Sequence, residues 1–277
     1  MKQYKKWWIT AFKSARTLRI QNLTITSGAP VQYVPALECI SMSALPHLST
    51  LDLSNVAFDK ASTATTIPDA LYFTFALNML ILSSMSFSFL SHFFRYSFLG
   101  DLYNIRLEAC GTAPEDQTDT SIYTHLPTTF SLTLQNFTHP RRLIGLLRTW
   151  NGRRLNLVSC PGFDDSVLEM MQDPLDPTTT LFGCSHLSAL YLPNCTNFTP
   201  AALTKLLHAR NGTSEIHVDD GAVAAFITGP AVGVGDGGVI ELITVTGNAP
   251  ILTDGERRYF EKINAIHWKS GAVEAET

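Results

Sequence analysis

Three groups of residues have types and spacings that could do chemistry. Gly233 to Gly238 match the G-x-G-x-x-G pattern of dinucleotide sites, in which a strand precedes the glycines and a helix N-terminus meets the pyrophosphate. Here the residues that follow, VIELITV, indicate a strand instead of a helix. The segment is therefore predicted to be a turn between two strands, and no cofactor is expected.

The other two groups favour structural roles. Cys184, His186 and Cys195 are close enough in sequence to be metal ligands, but Cys195 falls at a position predicted to be buried, and no fourth ligand is obvious. Asp164 and Asp165 could form a pair of catalytic carboxylates, although an acidic pair before an apolar helical run more often caps the helix. No Ser or Cys has the signature of a nucleophile. The sequence predicts neither a metal site nor an enzyme.

Composition excludes one class of partner and leaves another open. The formal net charge is -4 and only 16% of residues are charged, which does not give the basic footprint of a nucleic-acid-binding protein. The five cysteines are an odd number without paired spacing, so we expect reduced thiols in the cytoplasm or nucleus. Residues 70–94 contain no Asp, Glu, Lys or Arg. A membrane-associated protein inserted through this stretch therefore stays an alternative.

Apolar residues recur with one spacing along most of the chain. The segment LSTLDLSNVAF has the steps Leu-x-x-Leu-x-Leu-x-x-Val-x-Phe, and LNMLILSSMSF repeats them. Alternating apolar residues indicate short strands with one buried side. Successive strands are 23 to 35 residues apart, as in a strand-plus-helix repeat. The second apolar position of each predicted strand is Leu18, Leu51, Leu80, Ile105, Leu132, Leu155, Leu190 and Ile216.

Helical periodicity follows the later strands. After Leu192 the apolar period changes from two to about 3.6, and Thr199 with Pro200 is a typical helix start. The fold class is therefore predicted to be α/β, with residues 1–219 forming about eight irregular repeats. Residues 220–277 are expected to form a terminal strand or loop and a helical cap. In that cap Thr253 and Glu256 make a capping box, and Trp268 folds back over the end.

These motifs resemble the leucine-rich repeats of F-box proteins. The two cysteine-bearing segments between Leu155 and Arg210 are similar to cysteine-containing leucine-rich repeats, and the earlier segments resemble the looser repeats of fungal F-box proteins. The resemblance implies a ribonuclease-inhibitor-like horseshoe solenoid, with a concave parallel sheet and convex helices and loops. It also implies substrate recognition for a cullin-type ubiquitin ligase. No F-box precedes Leu18, so contact with the ligase adaptor would require an F-box upstream.

The predicted function is recognition of a protein partner by the concave strands. Side chains that alternate with the buried leucines would make the contacts, and among them Tyr191 and Arg106 are favoured because aromatic and Arg side chains dominate interface energies. A stand-alone repeat protein unrelated to ubiquitin is the other alternative. The predicted contact residues are Arg19, Gln21, Asp52, Ser54, Arg106, Glu108, Thr133, Gln135, Asn156, Tyr191 and His217.

Overall fold

The computed structural model is an α/β structure with parallel strands in each of two compact units. The N-terminal unit comprises Met1–Thr129 and the C-terminal unit comprises Phe130–Thr277. The residues described are 14–22, 24–25, 45–58, 73–100, 102–111, 126–172, 183–211, 214–217, 223–226, 239–263 and 266–270.

Four strands of the N-terminal unit pair in parallel. The elements are β1 (Thr17–Gln21), β2 (Thr24–Ile25), β3 (Thr50–Ser54), β4 (Ala57–Phe58), β5 (Phe73–Thr74), β6 (Met79–Ser83), α1 (Phe87–Tyr96), β7 (Ser97–Phe98) and β8 (Asn104–Glu108). The sheet order is β1-β3-β6-β8, and Leu18, Leu51, Leu80 and Ile105 stand in register across it. The short strands β2 and β4, and likewise β5 and β7, also pair in parallel. The four predicted register positions in this unit are confirmed.

The C-terminal unit alternates strands with helices. Its elements are β9 (Ser131–Gln135), α2 (Pro140–Thr149), β10 (Arg154–Val158), α3 (Asp165–Gln172), β11 (Ala189–Pro193), α4 (Pro200–Asn211), β12 (Ser214–His217), β13 (Val223–Phe226), β14 (Leu242–Gly247), α5 (Asp254–Lys262) and β15 (Ile266–Ser270). Strands β9, β10, β11, β14 and β15 pair in parallel in that order. Helix α3 packs against both α2 and α4.

The eighth predicted strand is present, but its placement in the parallel series was wrong. Ile216 lies in β12, which pairs antiparallel with β13, and Val218 lies outside the described residues. The strand beside β11 is β14, so Leu190 stands in register with Ile243, and Ile243 in turn with Ile266. The Ile-x-Val alternation indicates a strand with one apolar side, but it does not distinguish a parallel neighbour from an antiparallel hairpin.

Seven parallel strands, β1, β3, β6, β8, β9, β10 and β11, are each followed by a residue in the left-handed region. Seven such residues have φ between 47° and 60° in the described chain, namely Asn22, Asn55, Ser84, Ala109, Asn136, Ser159 and Asn194. The N–H of Asn22 donates to the carbonyl of Ser54 at 2.9 Å. Asn194 donates to Thr246 in the same way. Asn is among the few residues that tolerate this conformation, so its recurrence after the Leu-x-Leu pattern marks the place where each strand ends.

Buried thiols connect neighbouring strand segments. The Sγ atoms of Cys110, Cys160 and Cys195 donate to the carbonyls of Leu82, Leu134 and Leu157, each at 3.2 Å. Burial raises the pKa of Cys160 to about 11 and that of Cys195 to about 12. The thiols of Cys160 and Cys195 are therefore neutral hydrogen-bond donors within the core, and the predicted burial of Cys195 is confirmed.

The predicted C-terminal helix and its capping box are confirmed, whereas Trp268 is placed differently. Thr253 Oγ1 accepts from the N–H of Glu256, and the Glu256 side chain accepts from the N–H of Thr253. Trp268 does not fold back as a separate cap but belongs to β15. Its ring stacks on Phe260 of α5 with centroids 5.4 Å apart. Helix α5 and β15 thus close this part of the core together.

The uncharged stretch at residues 70–94 does not form one long helix. Its described part, from residue 73, contains β5, β6 and most of the ten-residue helix α1. Within α1, Phe89 and Phe93 stack with their centroids 6.2 Å apart. Among the residues that the structure describes, no helix is long and apolar enough to cross a membrane.

Candidate functional site

The candidate site is built from side chains that alternate with the buried leucines. We call the side of each parallel sheet that bears these side chains its open face. Residues such as Leu155 and Leu190 are fully buried, while the residues beside them in sequence, Asn156 and Tyr191, remain half-buried. The period of two in an extended strand produces this separation. The strands therefore hold polar side chains in fixed rows above an apolar layer.

The open face of the N-terminal unit contains six of the predicted contact residues. Its middle row runs Arg19, Asp52, Ile81 and Arg106, and its next row runs Gln21, Ser54, Ser83 and Glu108. The structure thus brings all six into two adjacent rows. Ile81 and Ser83 lie in these rows but are not among the contact residues predicted from the sequence. The pattern of their strand served only to define the repeat.

The charges on this N-terminal open face neutralise one another. Arg19 Nε lies 2.6 Å from Asp52 Oδ2 on the neighbouring strand, and the Asp52 side chain is only 10% exposed. Arg106 Nη2 lies 3.2 Å from Glu108 Oε2 on the same strand. Arg19 and Arg106 are therefore each paired with a carboxylate of the same face. The remaining outward side chains of these four strands are uncharged.

The open face of the C-terminal unit contains the predicted Thr133, Asn156 and Tyr191 in a single row. Parallel pairing places these three in register, and the row continues through Thr244 and His267. Gln135 lies in the next row, in register with Val158. The four predicted positions on β9, β10 and β11 therefore do share one face.

Sequence reasoning missed Arg154, whose guanidinium contacts two aromatic rings. Its guanidinium carbon lies 5.6 Å from the ring centroid of Phe130 and 5.9 Å from that of Tyr191. These distances are typical of cation–π contacts. Arg154 is exposed and Tyr191 half-buried, so the pair is held in place without leaving the surface. The signal in the sequence was an Arg one residue before the inward Leu155.

Asn156, which stands in register with Tyr191, has a polar atom without a hydrogen-bond partner in the described part of the chain. Asn156 Oδ1 is buried and has no hydrogen-bond partner among the described residues. A buried amide oxygen without a donor is costly. His267 and Lys269 lie exposed on β15. Both were missed because the sequence pattern predicts no strand there.

His217 was wrongly assigned to the same surface. It lies on β12, paired with Val223 of β13 in the antiparallel hairpin, and so belongs to neither open face. The reason is the incorrect placement of Ile216, its neighbour, in the series of parallel strands.

The acidic pair forms caps, as predicted. Asp164 Oδ1 accepts from the backbone N–H of Ser166 at 3.0 Å. Asp165 Oδ1 accepts from the N–H of Thr199 at 2.6 Å, and its Oδ2 accepts from the Thr199 hydroxyl at 2.9 Å. One carboxylate thus caps its own helix, and the other fixes the start of the next helix, α4.

The cysteines considered as metal ligands also have structural partners. Cys184 Sγ donates to the carbonyl of Leu147 at 3.2 Å, and burial raises its pKa to about 12. Within the described part of the chain, no group of three or more His, Cys, Asp or Glu side chains is placed to hold a metal ion. The glycine-rich segment at residues 233–238 lies outside the described residues.

Comparison with known proteins gives no further assignment. The chain matches no protein-family model, and no curated protein is significantly similar to it. The function must therefore be argued from the two open faces and from the repeated motifs of the sequence.

Proposed function

We propose that this chain is a leucine-rich-repeat protein that acts by binding another protein and not by catalysis. The binding surface is the open side of its parallel strands, which would be the concave side of a solenoid. The observation that carries the proposal is the C-terminal open face, where five strands in register present one continuous row of polar and aromatic side chains. Arg and Tyr side chains such as Arg154 and Tyr191 are the types that most often dominate interface energies.

Three repeated features support the leucine-rich-repeat assignment. Register positions one repeat apart hold buried Leu or Ile. A residue with positive φ follows each of the seven parallel strands β1, β3, β6, β8, β9, β10 and β11. Cys110, Cys160 and Cys195 occupy one equivalent position and make the same bond to the preceding segment. Stacked repeats of this kind bury a continuous core and leave an extended binding surface.

The test is a comparison of partner capture by matched variants. The natively expressed, C-terminally tagged protein would be purified beside Arg154→Ala/Tyr191→Ala and a control, Arg141→Ala/Arg148→Ala, whose two arginines are exposed on α2. We expect the first variant to weaken binding of a captured partner by more than about 2 kcal/mol, roughly thirty-fold. The control should bind normally. Equal capture by all three proteins, each shown to be folded by circular dichroism, would reject the C-terminal open face.

A narrower proposal is that the partner is a substrate of a cullin-type ubiquitin ligase. Its support is the resemblance of Leu155 to Arg210 to the repeats of F-box proteins, which the geometry neither strengthens nor weakens. Mass spectrometry of the same eluate provides the test. Ligase adaptor and cullin peptides in stoichiometric amounts would favour this role, and their absence would leave a stand-alone binding protein.

A further inference from the structure

We propose that the C-terminal open face binds an extended acidic segment of its partner protein, with a carboxylate anchored by Arg154. This inference rests on the proposed function, since it names the chemistry of the partner for that same face. Three properties of the described residues lead to it: the charge of the face, the geometry of Arg154, and the length of the row.

The charge of this face is opposite to that of the chain. The whole chain has a formal net charge of -4, yet no outward position of β9, β10, β11, β14 and β15 in the described residues is Asp or Glu. The same positions include Arg154 and Lys269, with His267 between them in the row of Tyr191. No ion pair joins Arg154 or Lys269 to another described residue. A local positive surface on an acidic chain favours an acidic partner by charge complementarity.

Arg154 is arranged to bind a carboxylate. The contacts with Phe130 and Tyr191 restrict the guanidinium to one region of the face. A planar guanidinium can donate two parallel hydrogen bonds to one carboxylate. Because the rings already limit its motion, less side-chain entropy is lost when a ligand binds.

The length of the row fits a short extended peptide. Thr133 and His267 are four strand steps apart, which corresponds to about 19 Å at the usual strand spacing. An extended chain covers this distance in about six residues. Lys269 lies on the last strand and at the opposite end of the register from Arg154. A segment of this length with an acidic residue near each end would therefore meet both cations.

The experiment is selection from a phage-displayed library of random dodecapeptides on the full chain. Recovered peptides would be measured by fluorescence anisotropy against the unaltered chain, Tyr191→Ala, Arg154→Ala, Arg154→Lys and the control Arg148→Ala. We expect Asp and Glu to be enriched several-fold over the input library. Binding should weaken at least ten-fold in Arg154→Ala and by a smaller factor in Arg154→Lys, which keeps the charge but loses the planar fork. Arg148→Ala should bind normally.

The outcomes separate this inference from the proposed function. Tyr191-dependent peptides without acidic enrichment would overturn the acidic-segment inference and leave protein recognition by this face intact. Recovery of no peptide whose binding depends on Tyr191 would overturn both. Substituting phosphoserine for each Asp or Glu of a selected peptide gives a further arm. Binding at least ten-fold tighter with phosphoserine than with Asp or Glu would overturn the carboxylate assignment in favour of a phosphorylated partner.

Discussion

The two units present the same backbone pattern but open faces of different chemistry. Both hold leucine and isoleucine in register beneath parallel strands. In the N-terminal unit the outward cations Arg19 and Arg106 are each paired with a carboxylate on their own face. In the C-terminal unit, Arg154 instead contacts two aromatic rings. The inward pattern thus determines the scaffold, and a few outward residues determine the charge that each face presents.

The largest expected effect is a loss of stability when a buried leucine is replaced. It tests whether the layer of inward leucines stabilises both units equally. Leu80 and Leu190 are fully buried at equivalent positions. Replacing either with Ala should lower the free energy of unfolding by about 2–5 kcal/mol, because a cavity remains in a packed core. Urea unfolding followed by circular dichroism measures the change. The exposed Ile251→Ala serves as control. A loss below about 1 kcal/mol at one position and not the other would show that the two cores are not equivalent.

An intermediate effect concerns pH and the buried thiol of Cys184 in the C-terminal unit. Burial raises the pKa of Cys184 from 9.0 to about 12, so the folded state favours the protonated thiol. The resulting stability is complete below pH 9 and is lost as the pH rises from 9 towards 12. Between pH 8 and 10.5 this thiol should account for a loss of about 2 kcal/mol.

Cys184→Ala is the matched variant for this effect. Its stability at pH 8 should be lower than that of the unaltered chain because packing is lost, but its further decrease at pH 10.5 should be smaller. Denaturant unfolding at both pH values gives the two differences. If the variant and the unaltered chain lost the same free energy on going to pH 10.5, Cys184 would not carry the alkaline sensitivity.

The smallest expected effect on stability comes from a double variant of the N-terminal open face. The two substitutions make the charge of this face resemble that of the C-terminal open face. Asp52→Asn with Glu108→Gln removes the two carboxylates that pair with Arg19 and Arg106. Since partly exposed ion pairs contribute little, the free energy of unfolding should change by less than about 1 kcal/mol. Acidic peptides should then acquire measurable, salt-sensitive affinity for this face. If the folded variant bound acidic peptides no better than the unaltered chain, removal of the two carboxylates alone would not explain the difference between the faces.

The sequence predicted the scaffold better than the binding surface, for physical reasons. Burial with period two is a local signal, so Leu18 to Leu190 could be assigned to strands and aligned in register before any contact was known. The placement of Ile216 in the parallel series was wrong because the same alternation of apolar residues also occurs in a hairpin strand. Arg154 was overlooked because its contacts with Phe130 and Tyr191 depend on the pairing of β10 with β11. His267 and Lys269 were missed because a five-residue strand after a helix has little pattern of its own.

The pairing of β11 with β14 has a consequence for how this chain can evolve. Leu190 and Ile243 are neighbours in register although 53 residues separate them, whereas Leu132 and Leu155 achieve the same with 23. The entropy of closing the longer connection exceeds that of the shorter one by less than about 1 kcal/mol. Because this cost is small, connecting segments such as the hairpin β12–β13 can be inserted, lengthened or deleted between strands with little loss of stability. The face would keep its specificity while the connections diverge in length and composition.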